Sequence, residues 1–335
     1  MYRDGKIVRT HDEHRFILNH GALGDVITSL PAIVAARVRV PEAAVKMTAY
    51  VAPKQVELVA HLLAPYGAVD VRSIAEVPLG VKERVEAWGG DVPNSMNTAI
   101  HNTHTRNRVH MVDYAFAFLT DSRPDNMLER SYPTAAPLGP RPKIEGKYVV
   151  FPVGATSDNK LFKAKAMGPI LHWCLENGYR PVIVGTKVTH TQKEMGGTFA
   201  PIVIRDEANQ IAKNIFGRCL DMREQTTLLE LRDICGHASA VVGVDGGTLH
   251  LAGTTDVPIV YAMGTTLPKH RYIARQGDHN RKIRYVVPRD LECSGCQSNW
   301  VLTRWDFSTC AYGDSKCMDQ LHPEDFINGL KELGL

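Results

Sequence analysis

Three short stretches set carboxylates, a lysine and a histidine beside glycine-rich turns. The first is Gly21-Ala22-Leu23-Gly24-Asp25-Val26-Ile27, between an apolar strand-like run and a helix-like run. The second is Phe151-Pro152-Val153-Gly154-Ala155-Thr156, followed by Lys160-Leu161-Phe162-Lys163. The third is Val241-Val242-Gly243-Val244-Asp245-Gly246-Gly247-Thr248-Leu249-His250. Glycine lets the backbone approach a ligand closely. A helix that opens after a strand turns its first amides and positive dipole end toward an anion. The amides of Gly247 and Thr248 would suit a diphosphate, His250 adds a donor on the first turn, and Lys160 adds a compact charge suited to phosphate. Asp25 has two roles open to it. It can cap the helix, or it can take a proton from a substrate hydroxyl. Asp245 has a similar choice between cap and ligand.

The elements around these turns alternate. Arg15–Gly21 has the pattern of a buried strand and Val26–Val40 that of an amphipathic helix. Val45–Ala52 predicts a strand, Pro53–Ala64 a helix and Val69–Ile74 a third strand. Asn107–Leu119 predicts a helix after a polar, looped stretch. Tyr132–Lys147 holds four prolines and is the best linker. The alternation then restarts with strands at Tyr148–Val153, Arg180–Gly185, Pro201–Arg205, Ala240–Asp245 and Pro258–Met263. Helices are expected at Ala164–Asn177, at Thr227–His237, from about Thr248, and at Pro323–Leu333. Repeated βα units of this kind build mostly parallel sheets. Their ligands gather at the carboxyl ends of the strands. Two such domains, 1–140 and 141–320, would face each other across one cleft. Asp25 would lie on one wall and Lys160, Asp245 and His250 on the other. The segment 321–335 is expected as a C-terminal helix that can pack back on the first domain.

Composition narrows the function classes. At 335 residues the chain has room for two domains. A net charge of +3 does not mark a dedicated nucleic-acid binder. The first fifteen residues are charged, without the apolar core of a signal peptide. No apolar run is long enough to span a bilayer. Seven cysteines, an odd number, then point to a reducing, cytoplasmic setting. The first turn is G-x-x-G-D, neither a dinucleotide fingerprint nor a Walker motif. No Asp-x-Asp pair occurs, so a catalytic metal on that motif is unsupported.

These motifs bring the chain to a known family. It resembles the heptosyltransferase-like glycosyltransferases of the GT-B superfamily, typified by ADP-heptose:lipopolysaccharide heptosyltransferases of family 9. GALGDVITSLPAI, FPVGATSDNKLF and VGVDGGTLHLAGTTDVPIVYAMG are similar to three motifs of that family, in order and at fitting distances. The resemblance implies an α/β fold of two Rossmann-like domains with parallel sheets facing an interdomain cleft. It implies inverting transfer from a nucleoside-diphosphate sugar, without a catalytic cofactor, in lipopolysaccharide or glycoconjugate synthesis. Carried over residue by residue, the general base falls on Asp25 and the diphosphate lysine on Lys160. The donor-sugar aspartate falls on Asp245 and the phosphate-contacting histidine on His250. Gly24, Gly154, Thr156, Gly246, Gly247 and Thr248 complete the donor site. Two departures stand out: Gly246 replaces a usual Thr, and Phe162 a usual Trp. The loop after Arg180–Gly185 also offers no acidic residue for the donor ribose before Glu194.

Two further clusters carry chemistry. Cys293, Cys296, Cys310 and Cys317 put four of the seven cysteines in one segment, a donor set for a structural zinc or iron. They would equally serve as reduced thiols packing an irregular tail. His101, His104, Arg106, Arg108 and His110 form a basic patch in the acceptor domain, with Arg106, Arg108 and His110 as candidate acceptor contacts. An anionic saccharide would suit it, and a solvated loop would explain it as well. A modified base in DNA or a protein is an alternative acceptor. A sugar-nucleotide epimerase or a non-catalytic nucleotide-sugar binder is an alternative use of the same layout.

Overall fold

A computed structural model describes residues 2–3, 6–7, 13–18, 23–39, 46–76, 112–113, 115, 125, 129–154, 160–187, 210–275, 281–289, 291–296, 310 and 315–335. The chain forms two compact units. Among the described residues, one runs to Pro137 and is joined by a short stretch beginning at Ile273, and the other holds those that remain from Leu138 on.

The first unit opens with a two-stranded antiparallel pair, β1 (Tyr2–Arg3) and β2 (Lys6–Ile7). Next come β3 (Glu13–Ile17), α1 (Leu23–Arg39), β4 (Lys46–Val51), α2 (Val56–Leu63) and β5 (Val69–Ser73). Strands β3, β4 and β5 form a parallel sheet in that order. Helix α1 buries Val26, Ile27, Leu30 and Ile33, the 3–4 spacing of one apolar face. Pro31 lies inside it and has no N–H to return to the turn before. Two side chains bond back along this first part of the helix. Thr28 Oγ1 donates to the Gly24 carbonyl at 2.6 Å and Ser29 Oγ to the Asp25 carbonyl at 2.8 Å. The later stretch is tied in by Tyr132 N–H, which donates to the Ala274 carbonyl at 2.9 Å.

The second unit contains β6 (Lys147–Val153), α3 (Ala164–Glu176), β7 (Tyr179–Gly185), α4 (Lys213–Phe216), β8 (Leu220–Asp221), α5 (Leu228–Gly236), β9 (Ala240–Val244), α6 (Gly247–Gly253), β10 (Ile259–Ala262), α7 (Pro268–Arg271), β11 (Ile283–Val286), α8 (Lys316–Asp319) and α9 (Pro323–Glu332). Its six strands are all parallel, in the order β11-β10-β9-β6-β7-β8. The chain winds outward from β6 to β8, then returns to β9 on the other side of β6 and winds outward to β11. The order therefore reverses between β6 and β9, and ligands of doubly wound sheets bind at that switch point, beyond the carboxyl ends. Val149, Phe151, Ile183, Val242 and Val260 are buried on one face, and Val150, Val182, Val241 and Ile259 on the other, so both faces of the sheet are covered.

Several expectations shift. Helix α1 begins at Leu23 rather than Val26, which moves Asp25 from the cap into the first turn. Helix α5 has the expected start: Thr227 caps it and exchanges hydrogen bonds with Glu230 as a capping box. Strands β8 and β11 and the short helices α4, α7 and α8 were not expected. The C-terminal helix packs against β10, β11 and α3 of the second unit. Phe326 stacks on Phe162 at 5.2 Å, and Arg284 and Arg289 pair with Glu332 and Asp325. Phe162 is thus a core side chain under α9. The expected strand Pro201–Arg205 and most of the expected helix Asn107–Leu119 lie outside the described residues.

Candidate active site

Asp245 follows the last residue of β9, on one side of the switch point. Its carboxylate is 4% exposed and has five polar neighbours. Lys160 Nζ lies 2.9 Å from Oδ2. Thr266 Oγ1 donates to the same oxygen at 3.2 Å, and Arg271 Nη1 is 3.8 Å from it. Tyr261 donates its hydroxyl to Oδ1 at 2.5 Å, and His250 Nε2 is 3.4 Å from Oδ1. Burial alone would push this carboxyl up. Lys160 and then Arg271, with the hydrogen bond from His250, outweigh it and hold the group well below the usual carboxylate range. Asp245 is therefore a fixed anion at neutral pH.

The backbone leaves room beside this cluster. Gly154 follows β6 at φ +86, and Gly185 ends β7 at φ +118, where a Cβ would overlap the Val153 carbonyl. Both need glycine. Gly246 differs. Its φ of −166° is extended backbone, and a Cβ there meets only the Val244 carbonyl at 3.6 Å. The hydroxyl missing at this position is therefore not excluded by space. Gly247 and Thr248 open α6, and His250 is buried on it. Two strands away, Glu224 holds φ +60, a left-handed value that is uncommon outside glycine. Its carboxylate accepts the Lys187 amide at 2.9 Å, where β7 runs out.

Asp25 and Gly24 belong to the first unit. Asp25 is half-buried in the first turn of α1, the helix that follows β3 in the chain. Gly24 is buried in the helix, and its carbonyl accepts the Thr28 hydroxyl. Thr156, Arg106, Arg108, His110, His101 and His104 lie outside the described residues. So do Gly21, Ala22 and Glu194.

The sequence pattern had marked Lys160, Asp245 and His250. It did not mark Tyr261, Thr266 or Arg271. Tyr261 is buried in the middle of an apolar strand, Ile259–Ala262. Thr266, in the loop that follows, and Arg271, at the end of α7, belong to no standard motif. The only available signal was that this loop leaves the carboxyl end of a strand adjacent to β9.

All seven cysteines are free thiols. Burial pushes the Cys317 thiol up to about 12, and the charges of Cys296, Cys293 and Cys310 add to the rise. Cys293, Cys296 and Cys310 each lie within electrostatic range of Cys317. Among the described residues, no three His, Cys, Asp or Glu side chains are arranged to hold a metal ion. The segment instead packs on the site. Gly295 N–H donates to the Gly264 carbonyl at 2.9 Å, and Gly295 lies under the Leu267 side chain. Cys317 Sγ lies 3.0 Å from where a Cβ on Gly264 would stand. The cysteines therefore back the loop that carries Thr266 and leads to Arg271.

Residues 120–296, just over half of the chain, match the family model described as glycosyltransferase family 9 (heptosyltransferase). The chain belongs to glycosyltransferase family 9. Solved structures agree on the fold of this family 9 glycosyltransferase. It is similar to the iron-containing dodecameric glycosyltransferase TibC from enterotoxigenic E. coli H10407, at 16% identity and TM-score 0.68, over 98% of this chain and 79% of that one. It is similar to E. coli ADP-heptose lps heptosyltransferase II, at 13% identity and TM-score 0.63, over 96% and 98% of the two chains. It is also similar to E. coli heptosyltransferase WaaC with ADP, at 15% identity and TM-score 0.55, over 96% and 100%. No curated sequence matches it. The family 9 chain thus has the GT-B fold, with the parallel sheets that its βα alternation implied. No helix among its described residues is long and apolar enough to cross a membrane.

Proposed function

We propose that this glycosyltransferase moves a sugar, with inversion, from an ADP-heptose-like nucleoside-diphosphate sugar to a hydroxyl of a saccharide or glycoconjugate. The observation that carries this reading is the meeting of Lys160 and Asp245, from the two strands that flank the switch point, at 2.9 Å. A cation held beside a buried anion at that place suits a donor with a diphosphate on one side and sugar hydroxyls on the other. Solved relatives with ADP and with ADP-D-beta-D-heptose support the donor class.

In this reading Asp25 accepts the proton of the acceptor hydroxyl. The oxygen attacks the anomeric carbon, and the bond from that carbon to the diphosphate oxygen breaks. The electron pair leaves with the nucleoside diphosphate. Lys160, His250 and the amides of Gly247 and Thr248 stabilise the charge that develops there. Asp245 accepts hydrogen bonds from the donor sugar. Gly154 and Thr156 line the phosphate path. Glu224, at the end of β7 and β8, supplies the acidic group for a ribose hydroxyl that the loop after β7 lacks. Arg106, Arg108 and His110 meet anionic groups of the acceptor. The four thiols of Cys293, Cys296, Cys310 and Cys317, which are not arranged as a metal site as they stand, would have to be drawn together to hold a structural zinc or iron; bound there, it would tether the loop carrying Thr266 and take no part in the transfer. Seven free thiols fit a reducing, cytoplasmic location.

The test is Asp25→Asn. Transfer should fall by about 10²- to 10⁴-fold, the worth of a general base. Affinity for the nucleoside diphosphate should stay at the wild-type value. Retained turnover would remove Asp25 from that role.

A further inference from the structure

Among the described residues, two cations converge on the one carboxylate of Asp245. Lys160 Nζ and Arg271 Nη1 both face its Oδ2, at 2.9 and 3.8 Å. Exposure differs between the partners. The Asp245 side chain is 4% exposed, while those of Lys160 and Arg271 are 17% and 22% exposed. The anion is sealed in and the two cations reach outward. At 3.8 Å, Arg271 is held to Asp245 by charge and not by a direct hydrogen bond. A guanidinium has five donors in a planar fork and can engage a second anion bidentately. The position is also built. Thr266 is fixed on Asp245, Leu267 lies on Gly295, and Pro268 starts the turn of helix that ends in Arg271.

We propose that Arg271 is a second diphosphate-binding residue, closing with Lys160 on the donor's diphosphate. Asp245 is the internal anion that holds both cations in place before the donor arrives. The proposal rests on the reading of this site as a nucleotide-sugar site. Lys160 follows β6 and Arg271 follows β10, so the diphosphate would lie across the ends of β6, β9 and β10. A lysine alone gives a point charge, whereas the arginine fork fixes the orientation of the phosphate oxygens.

The experiment titrates inorganic pyrophosphate, which carries no base or sugar, into wild type, Lys160→Ala, Arg271→Gln and Arg271→Lys. Nucleoside diphosphates are titrated into wild type alongside. Arg271→Gln should weaken pyrophosphate by about tenfold to a hundredfold, the worth of a charged hydrogen-bond pair. Its binding should also depend less on salt than wild type. Arg271→Lys keeps the charge without the fork. It should lose less, and it keeps the test alive if Arg271→Gln does not fold. A purely structural arginine would leave the salt dependence unchanged. If both Arg271 variants bind pyrophosphate like wild type while Lys160→Ala does not, Arg271 is not a diphosphate ligand and the proposed function stands. If wild type binds neither pyrophosphate nor any nucleoside diphosphate, both fall.

Discussion

Asp245 shows how one residue's chemistry is set by groups distant in sequence. Its partners come from residues 160, 250, 261, 266 and 271. Only the first two could be paired with it from motifs, because a glycine loop with a lysine and a first-turn histidine are local patterns. Tyr261 was hidden, since a tyrosine within an apolar strand is usually core. The held-down ionisation of Asp245 has a consequence for stability. A carboxylate depressed in the folded state contributes stability that is complete above its unfolded value, about 4, and is lost as pH falls through the lower folded value. Melting temperature should hold from pH 7 to about 5 and decline below about 4. Asp245→Asn should flatten that decline and lower the neutral-pH plateau, because Lys160 and Arg271 would then face each other without an anion. A variant whose acid profile overlays wild type would show that Asp245 carries no such linkage.

The elements that position these residues were easier to read than their limits. Apolar runs of five to seven residues marked β6, β7 and β9, because a parallel strand buried on both faces has no polar alternation to confuse it. Strand β11 was missed because Arg284 interrupts Ile283–Val286, and Arg284 is held outside by Glu332. Strand β8 has only two residues and no pattern to find. The early start of α1 was missed because Gly24 is a poor helix former. Burial and the Thr28 bond to its carbonyl compensate. The C-terminal helix shows the limit of sequence at this scale. Its apolar face was visible, but not its partner, which is Phe162. At the cysteine segment, elemental analysis should find about one zinc or iron per chain. Cys317→Ser should release that metal and weaken pyrophosphate binding through the loop at Gly264. A folded, metal-free wild-type protein would refute the metal assignment.

At the scale of the molecule, the strand order of the second unit matters more than any motif. Winding out from β6 in both directions creates one switch point, and Gly154, Lys160 and Asp245 all follow the two strands beside it. The alternation of elements gave the parallel α/β class. It could not give the order β11-β10-β9-β6-β7-β8, because sequence spacing does not say on which side of β6 the chain returns. The proposed nucleotide-sugar site is assigned to that point. The measurement closest to this claim is a calorimetric titration of ADP, UDP and GDP into the whole chain and into Lys160→Ala. One nucleoside diphosphate should bind the wild-type chain at micromolar affinity, and Lys160→Ala should lose about tenfold or more, the value of a charge-assisted hydrogen bond. A chain that binds none of the three, or a Lys160→Ala variant that binds as tightly as wild type, would contradict the account.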